Sequence, residues 1–285
     1  MTMASGRFVT PSRVIVAVTA IAWVALALAS PWTTLANDYP GSFAVAVSVW
    51  GWMLWIAVMI ALLVPSPVSL TTVRCCTPIA VVSGLAVVSP PAVFASIVAL
   101  MLGFSSLFAD VMVQGGAYGE EQRFALKTPV PSMLPTVIAW GVLVFSLVGG
   151  SLFVGAGRYA WGGPLMAIGI VLATRVPRLL HRHSRRWLVI VPAGIVVHDH
   201  YVLAETFMSP RSKVEHVVVV NEAGETADFT GGVAGKRLAV SLREADKIVL
   251  SPITAKILKT SAALHVRSFS IAPRRIAAAR AAITL

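Results

Sequence analysis

The sequence predicts a helical membrane bundle of about six spans followed by a small, mainly β, water-facing domain. Three observations carry this. First, apolar residues make up 57% of the 285-residue chain and charged residues only 12%, whereas an ordinary soluble domain carries roughly 25% charged residues. Second, the deficit is uneven. Between positions 14 and 174 the charged side chains are Asp38, Arg74, Asp110, Glu120, Glu121, Arg123, Lys127 and Arg158, whereas positions 175–285 hold 17 Lys or Arg against 8 Asp or Glu. Third, near Trp187 the pattern changes from long apolar runs to short strand-like ones.

A spanning helix needs about 20 apolar residues, because the hydrocarbon core is about 30 Å thick and each residue rises about 1.5 Å. The first span is expected over residues 14–32, led by Arg7 and Arg13. The second covers 43–64 and contains Trp50, Trp52 and Trp55. The apolar region 77–109 would be about 50 Å long as one helix. It is broken by Ser89-Pro90-Pro91, where proline removes a donor, so two helices are expected, over 77–88 and 92–109. A re-entrant hairpin there would leave the sidedness unchanged. The fifth and sixth spans fall at 134–154 and 161–174, the last lengthened by side chains reaching back to water. Mid-span tryptophans such as Trp52 and Trp140 are expected to serve packing.

Lys and Arg are retained on the cytoplasmic side. With six spans and an inside N-terminus, the inside segments hold Arg7, Arg13, Arg74, Arg123, Lys127 and the cluster Arg175, Arg178, Arg182, Arg185 and Arg186, while the outside segments hold Arg158. This predicts a multi-pass protein of the inner or plasma membrane with both termini cytoplasmic. Arg7, Arg13 and Ala27-Leu28-Ala29 also fit a cleaved signal peptide, which would leave the remaining topology untouched. The adjacent Cys75 and Cys76 cannot build a disulfide framework and are expected at a helix end.

The tail contains strand-like runs at 187–191, 195–198, 201–208, 214–220, 238–242, 247–250 and 264–271, rich in Val, Ile, Leu and Phe. Pro192-Ala193-Gly194, Asn221-Glu222-Ala223-Gly224 and Thr230-Gly231-Gly232 are turn chemistry. Residues 273–280 are expected to form an alanine-rich helix with proline in its first turn. Seven strands and one helix is the count of a pleckstrin-homology-like barrel, and about 100 residues suffice for one core. The expected organisation is a helical domain over 1–180 with a cytoplasmic loop at 110–133, then a β-rich domain over 181–285.

Several stretches carry a resemblance. Val113-Gln114-Gly115-Gly116-Ala117-Tyr118-Gly119-Glu120 and Arg185-Arg186-Trp187-Leu188-Val189-Ile190-Val191-Pro192-Ala193-Gly194 come first. His198-Asp199-His200, Leu203-Ala204-Glu205 and Phe229-Thr230-Gly231-Gly232 extend them. On these the chain resembles the multi-pass actinobacterial membrane proteins that end in a bacterial pleckstrin-homology-like domain. The resemblance implies the architecture along nearly the whole chain and implies no activity.

Chemistry is sparse. Of the six histidines, His181-Arg182-His183 and His198-Asp199-His200 are spaced as metal half-sites. Zinc wants three or four convergent ligands, and cysteine is absent from the tail, so a polar strand end is expected and no metal or cofactor. The cluster from Arg175 to Arg186 abuts a span without an aromatic platform, so it is expected to anchor topology and attract anionic lipid and not to bind nucleic acid. Head-group capture by the tail would need converging basic residues, yet its first turn is uncharged. A protein partner or a second copy is the expected ligand of the tail. An intramembrane enzyme needs a nucleophile with a base, or paired carboxylates. The expected spans hold no His, Asp or Glu, and no ionisable side chain of any kind is expected within them, which weighs against an ion-coupled carrier. The break at Ser89-Pro90-Pro91 keeps transport as the rival reading. Glu120 and Glu121 are expected to dock the 110–133 loop against the basic tail.

Overall fold

The computed structural model describes residues 11–222, 226–260 and 263–284. Arg7 and the turn residues Ala223 and Gly224 lie outside them. Helix α1 (Pro11–Ala29) continues through Ser30 into α2 (Pro31–Asn37), and α3 (Gly41–Leu63) returns. Helix α4 spans Pro67–Ala86, α5 Pro90–Phe104 and α6 Ser106–Gln114. Strand β1 (Gln122–Ala125) interrupts the helices. Then follow α7 (Val130–Val144), a π-helical turn at Phe145–Gly149, α8 (Gly150–Gly155), α9 (Tyr159–Ala173) and α10 (Val176–Ser184). Five segments among the described residues are long and apolar enough to cross a membrane: Arg13–Asn37, Gly41–Leu63, Pro67–Ala86, Val130–Gly155 and Tyr159–Ser184. The pair α5 and α6, bent by 65°, would make a sixth.

The third segment corrects the sequence reading. Helix α4 begins ten residues before the expected position 77. Ser66 caps it by accepting the Ser69 N–H at 3.0 Å, and Pro67 follows at the first helical position, where its missing donor costs nothing. The polar Thr71 and Thr72 fit because their hydroxyls lie 3.0 and 3.1 Å from the carbonyls four residues back. Arg74, Cys75 and Cys76 therefore sit about two turns inside a candidate span and not at its end. The expected break is present: Val88, at φ 50°, turns the chain between α4 and α5.

Helix α1 is packed into the bundle. Trp23, 0% exposed, donates its indole N–H to the Trp55 carbonyl at 3.0 Å, and Trp55 donates to the Trp23 carbonyl at 2.9 Å. Helix α8 meets α9 through glycines. A Cβ on Gly162 would fall 2.8 Å from the Gly150 carbonyl oxygen, the close backbone approach that small residues permit between membrane helices.

The tail forms β2 (Arg186–Val191), β3 (Gly194–Asp199), β4 (Phe207–Pro210), β5 (Val214–Val220), β6 (Ala227–Asp228), β7 (Arg237–Val249), helix α11 (Pro252–Leu258), β8 (Ala263–Ile271) and helix α12 (Ile276–Thr284). Two four-stranded sheets result, ordered β1-β2-β3-β4 and β5-β7-β8-β6, without closing into a barrel. The two runs expected at 238–242 and 247–250 are one strand, β7, whose pairing with β8 shifts register between Ser241 and Asp246. The run expected at 201–208 is mostly turn, with strand only from Phe207. Phe229 stacks on Phe269 and Phe207 meets both edge-on within a core shared by both sheets and α12.

The loop expected at 110–133 supplies an edge strand to the tail. Gln122 to Ala125 of β1 pair antiparallel with Ile190 to Trp187 of β2. Strand β2 is buried on both faces. Leu188 and Ile190 enter the tail core, while Trp187 and Val189 join the helical core. Successive side chains alternate between faces, so a run apolar at every position suits a strand covered on both sides.

Trp23→Phe keeps most of the ring and removes the indole donor. We expect it to cost about 1 kcal/mol in reversible detergent unfolding, near the value of interhelical hydrogen bonds. Trp23→Ala should cost about 3 kcal/mol or more through the cavity it opens. Equal stability of Trp23→Phe and the parent protein would remove the reciprocal pair from the account.

Candidate functional site

The junction between the helices and the sheets concentrates the buried polar groups. Arg186 is its hub. It is 1% exposed, and its Nε and Nη2 donate to Asp199 Oδ1 and Oδ2 at 2.9 and 2.7 Å. Its remaining donors reach the carbonyls of Lys127 at 2.7 Å and Thr230 at 3.2 Å. Asp199 Oδ1 also accepts the Tyr201 N–H at 3.0 Å, and the Tyr201 ring lies under the guanidinium, 5.6 Å from ring centre to Cζ. A buried ion pair is tolerable when its other hydrogen-bonding positions are filled, and here one fork gathers β2, β3, the segment after β1 and the turn after β6. Arg186 therefore leaves the expected membrane-surface cluster, because as the first residue of β2 it faces the interior. Arg175, Arg178, Arg182 and Arg185 remain exposed along α10 and its ends.

A second tie comes from α6. Asp110, buried, accepts the Ala125 N–H at 2.9 Å through Oδ1, and Oδ2 lies 3.7 Å from Arg275 Nη1. A bridge pairs Leu126 with Pro273, and Lys127 N donates to the Ala272 carbonyl at 2.8 Å. Loop and tail are thus joined through backbone pairing and Asp110. The acidic pair lies elsewhere: Glu121 Oε1 accepts from Arg123 at 2.6 Å and from the Tyr118 N–H, both in its own loop, and Glu120 is exposed.

Beneath this junction lies a cavity of about 370 Å³ between α4, α5, α7, α10 and the segment after β8. Its polar lining includes Arg74, Arg274, His183, Thr71, Thr128 and Ser184, and its apolar lining includes Pro78, Phe104, Trp140 and Leu180. The His183 Nε2 lies 3.0 Å from both Thr136 Oγ1 and Tyr201 Oη, and its ring stacks on Tyr201. The His181 Nδ1 lies 3.3 Å from Thr71 Oγ1. Burial lowers the Arg274 guanidinium below its ordinary value, partly opposed by Asp110. Arg74 falsifies the expectation that no ionisable side chain lies within a span. The sequence signal that could have found it was the Ser66-Pro67 helix start, which places residue 74 inside.

The expected histidine pair at 198 and 200 makes an aromatic ladder. Arg123 lies over Trp187, 5.6 Å from ring centre to Cζ. Trp187 stacks on His198 at 4.6 Å, and His198 meets the His200 edge at 4.4 Å. Among the described residues no group of three or more His, Cys, Asp or Glu converges as metal ligands. No protein-family model matches the chain, and neither a curated protein nor a solved structure is significantly similar to it.

Arg186→Met would strand the Asp199 carboxylate, and we expect a loss of about 3–5 kcal/mol in unfolding experiments. Adding Asp199→Leu should recover much of it. A double mutant as unstable as the single would mean that the pair also acts through its carbonyl contacts.

Burial first, then His200 and Arg185, holds His198 down at about 4 from its usual 6.5, against the pull of Asp199. The unfolded chain therefore gains this proton as pH falls below 6.5, while the folded chain gains it only near 4. Stability should decline across that window, because the unfolded state binds more protons. His198→Phe, which keeps the stack on Trp187, should flatten the decline in pH-dependent melting curves.

Proposed function

We propose that this chain is an integral membrane protein of the cell membrane, with the β-rich domain cytoplasmic, acting as a non-enzymatic scaffold or regulator. In this reading the domain takes a protein partner, or a second copy of itself, by strand addition along β5. The observation that carries it is the edge of the second sheet. Strand β5 pairs only with β7 among the described residues. Its sequence, Val214-Glu215-His216-Val217-Val218-Val219-Val220, ends in four valines, and Val218 and Val219 are 47% and 38% exposed on opposite faces. Folded proteins usually blunt such edges with lysine, proline or a covering element. The register shift between Val214 and His216 and the packing of α12 against β5 guard part of this edge, and its valine half is a template for an added strand.

Sidedness is supported by Arg13 at the start of α1, which shares a cleft with Asp110, Arg123 and Arg275. The N-terminal end of α1 thus lies beside the β-rich domain. The exposed Arg175, Arg178, Arg182 and Arg185 also cluster there, as expected of the side that retains positive charge. Two sheets, antiparallel except for the short parallel pair of β6 with β8, and a closing helix around one core support a pleckstrin-homology-like plan, and we take the tail as an open variant of it.

Transport is the second reading, and Arg74 favours it, because ionisable residues within spans mark ion and solute paths by default. Uptake by vesicles carrying the purified protein, abolished in Arg74→Gln, would establish it.

The scaffold reading predicts that Val218→Lys with Val219→Glu releases a co-purifying protein, or converts a dimer to a monomer, with the melting temperature unchanged. Affinity purification from native membranes in mild detergent, with mass spectrometry and light scattering, reads this. A monomeric parent protein that brings down no partner would refute it.

A further inference from the structure

Buried and half-buried guanidinium groups in this chain are often given an anion. Arg186 has Asp199, Arg123 has Glu121 at 2.6 Å, and Arg237 lies 3.6 Å from Asp228 and donates to the Val233 carbonyl. Arg74 and Arg274 depart from this pattern. Both line the 370 Å³ junction cavity, and no Asp or Glu does. Arg74 Nε donates to the Gly103 carbonyl at 3.3 Å, and its guanidinium lies 5.5 Å from the Phe104 ring centre, while its buried Nη2 has no hydrogen-bond partner. Arg274 is fixed by its main-chain N–H, which donates to the Ala125 carbonyl at 2.8 Å, and its buried Nε is also without a partner. Neither forms an ion pair among the described residues. Asp110 offsets part of the Arg274 charge from a distance, but burying a charge without a hydrogen-bonded counter-ion costs several kcal/mol, and two guanidiniums in one cavity repel each other, so the arrangement calls for an anion.

The rest of the lining fixes the kind of anion. Thr71, Thr128 and Ser184 add hydroxyls to the same lining, those of Thr71 and Ser184 being 2.8 Å apart, whereas Pro78, Phe104, Trp140 and Leu180 add apolar surface. Guanidinium forks match the oxygens of a phosphate, and the apolar lining suits a hydrocarbon tail. Depth agrees with this. Arg74 lies seven residues into α4, roughly 10 Å from its start, on the side where α5 and α10 end and α7 begins. All four ends face the β-rich domain, where head groups would lie. On the outer flank of α7, Met133 and Val137 line the cavity and are themselves exposed, so a chain can leave sideways toward the bilayer.

We propose that the junction cavity binds one anionic phospholipid, its phosphate held between Arg74 and Arg274 and its tail leaving past Met133 and Val137. This site differs from the exposed Arg175, Arg178, Arg182 and Arg185, which attract anionic head groups without a cavity to select them. It is also independent of any partner at β5. A lipid seated there touches α4, α7 and α10 and, through Arg274, the segment between β8 and α12. Lipid occupancy would thereby tighten the hold of the tail on the helices.

The test uses the purified full chain in detergent, with thermal unfolding and native mass spectrometry as readouts. Phosphatidylglycerol should raise the melting temperature saturably and remain bound at one copy per chain. Phosphatidylcholine and millimolar inorganic phosphate should do neither. Arg74→Gln and Arg274→Gln should each weaken the phosphatidylglycerol effect by tenfold or more. Arg74→Lys should retain part of it, and Arg178→Gln, on the exposed cluster, all of it. Without lipid, Arg74→Gln should be at least as stable as the parent protein, because it removes an uncompensated charge. A large loss of lipid-free stability in that variant would assign Arg74 a purely structural role and overturn the proposal. An equal response to phosphatidylcholine, or an undiminished response in both Gln variants, would also overturn it. An equal response to inorganic phosphate would replace the lipid by a free anion.

Discussion

The fork of Arg186 on Asp199 is the interaction on which the junction depends. It lies at the first residue of β2, where the helical part of the chain ends and the sheets begin. One guanidinium binds a neighbouring strand through a carboxylate, the segment leading to α7 through the Lys127 carbonyl, and the second sheet through the Thr230 carbonyl. None of these groups is adjacent in sequence. A charged fork with fixed geometry can hold three separate backbones together because each donor has one direction. An apolar side chain of the same size would fill the space without setting the register.

Around that hub the chain abolishes the boundary that its composition suggests. Strand β1 comes from between two bundle helices yet completes the first sheet, and Asp110 on α6 satisfies its Ala125 N–H. The opposite faces of β2 enter different cores. The β-rich domain is therefore seated on the helices by apolar packing, backbone pairing and buried ion pairs together. A regulator needs such a connection, since a change in the helices can reach the sheets only through elements that both share. The junction cavity lies within this connection.

The amount legible in the sequence differs by element. The second span and the break at Ser89-Pro90-Pro91 could be read directly, because apolar length and proline chemistry act locally. Strand β5 was read to the residue, since a β-branched run between turn signals has few alternatives. Hydropathy truncates helix α4, because Arg74 and the threonines before it interrupt the apolar run. Hydropathy averages over side chains and does not register hydroxyls bonded back to their own helix. The strand in the 110–133 loop was missed because a four-residue edge strand carries little pattern of its own. Its partner, β2, lies some sixty residues further on.

The basic cluster shows the same division within one motif. Five arginines between 175 and 186 look equivalent in sequence, yet four are exposed and Arg186 is buried against Asp199. By itself the sequence determined what depends on local physics: that long apolar helices precede short strands, where the chain breaks at Ser89-Pro90-Pro91, where the β-branched run of β5 lies, and which region carries the positive charge. Only the tertiary structure decided which charges are paired, which strand completes the first sheet, and that Arg74 and Arg274 share one cavity without a carboxylate. Pairing is a property of distances between residues far apart in the chain, and composition and periodicity do not contain those distances.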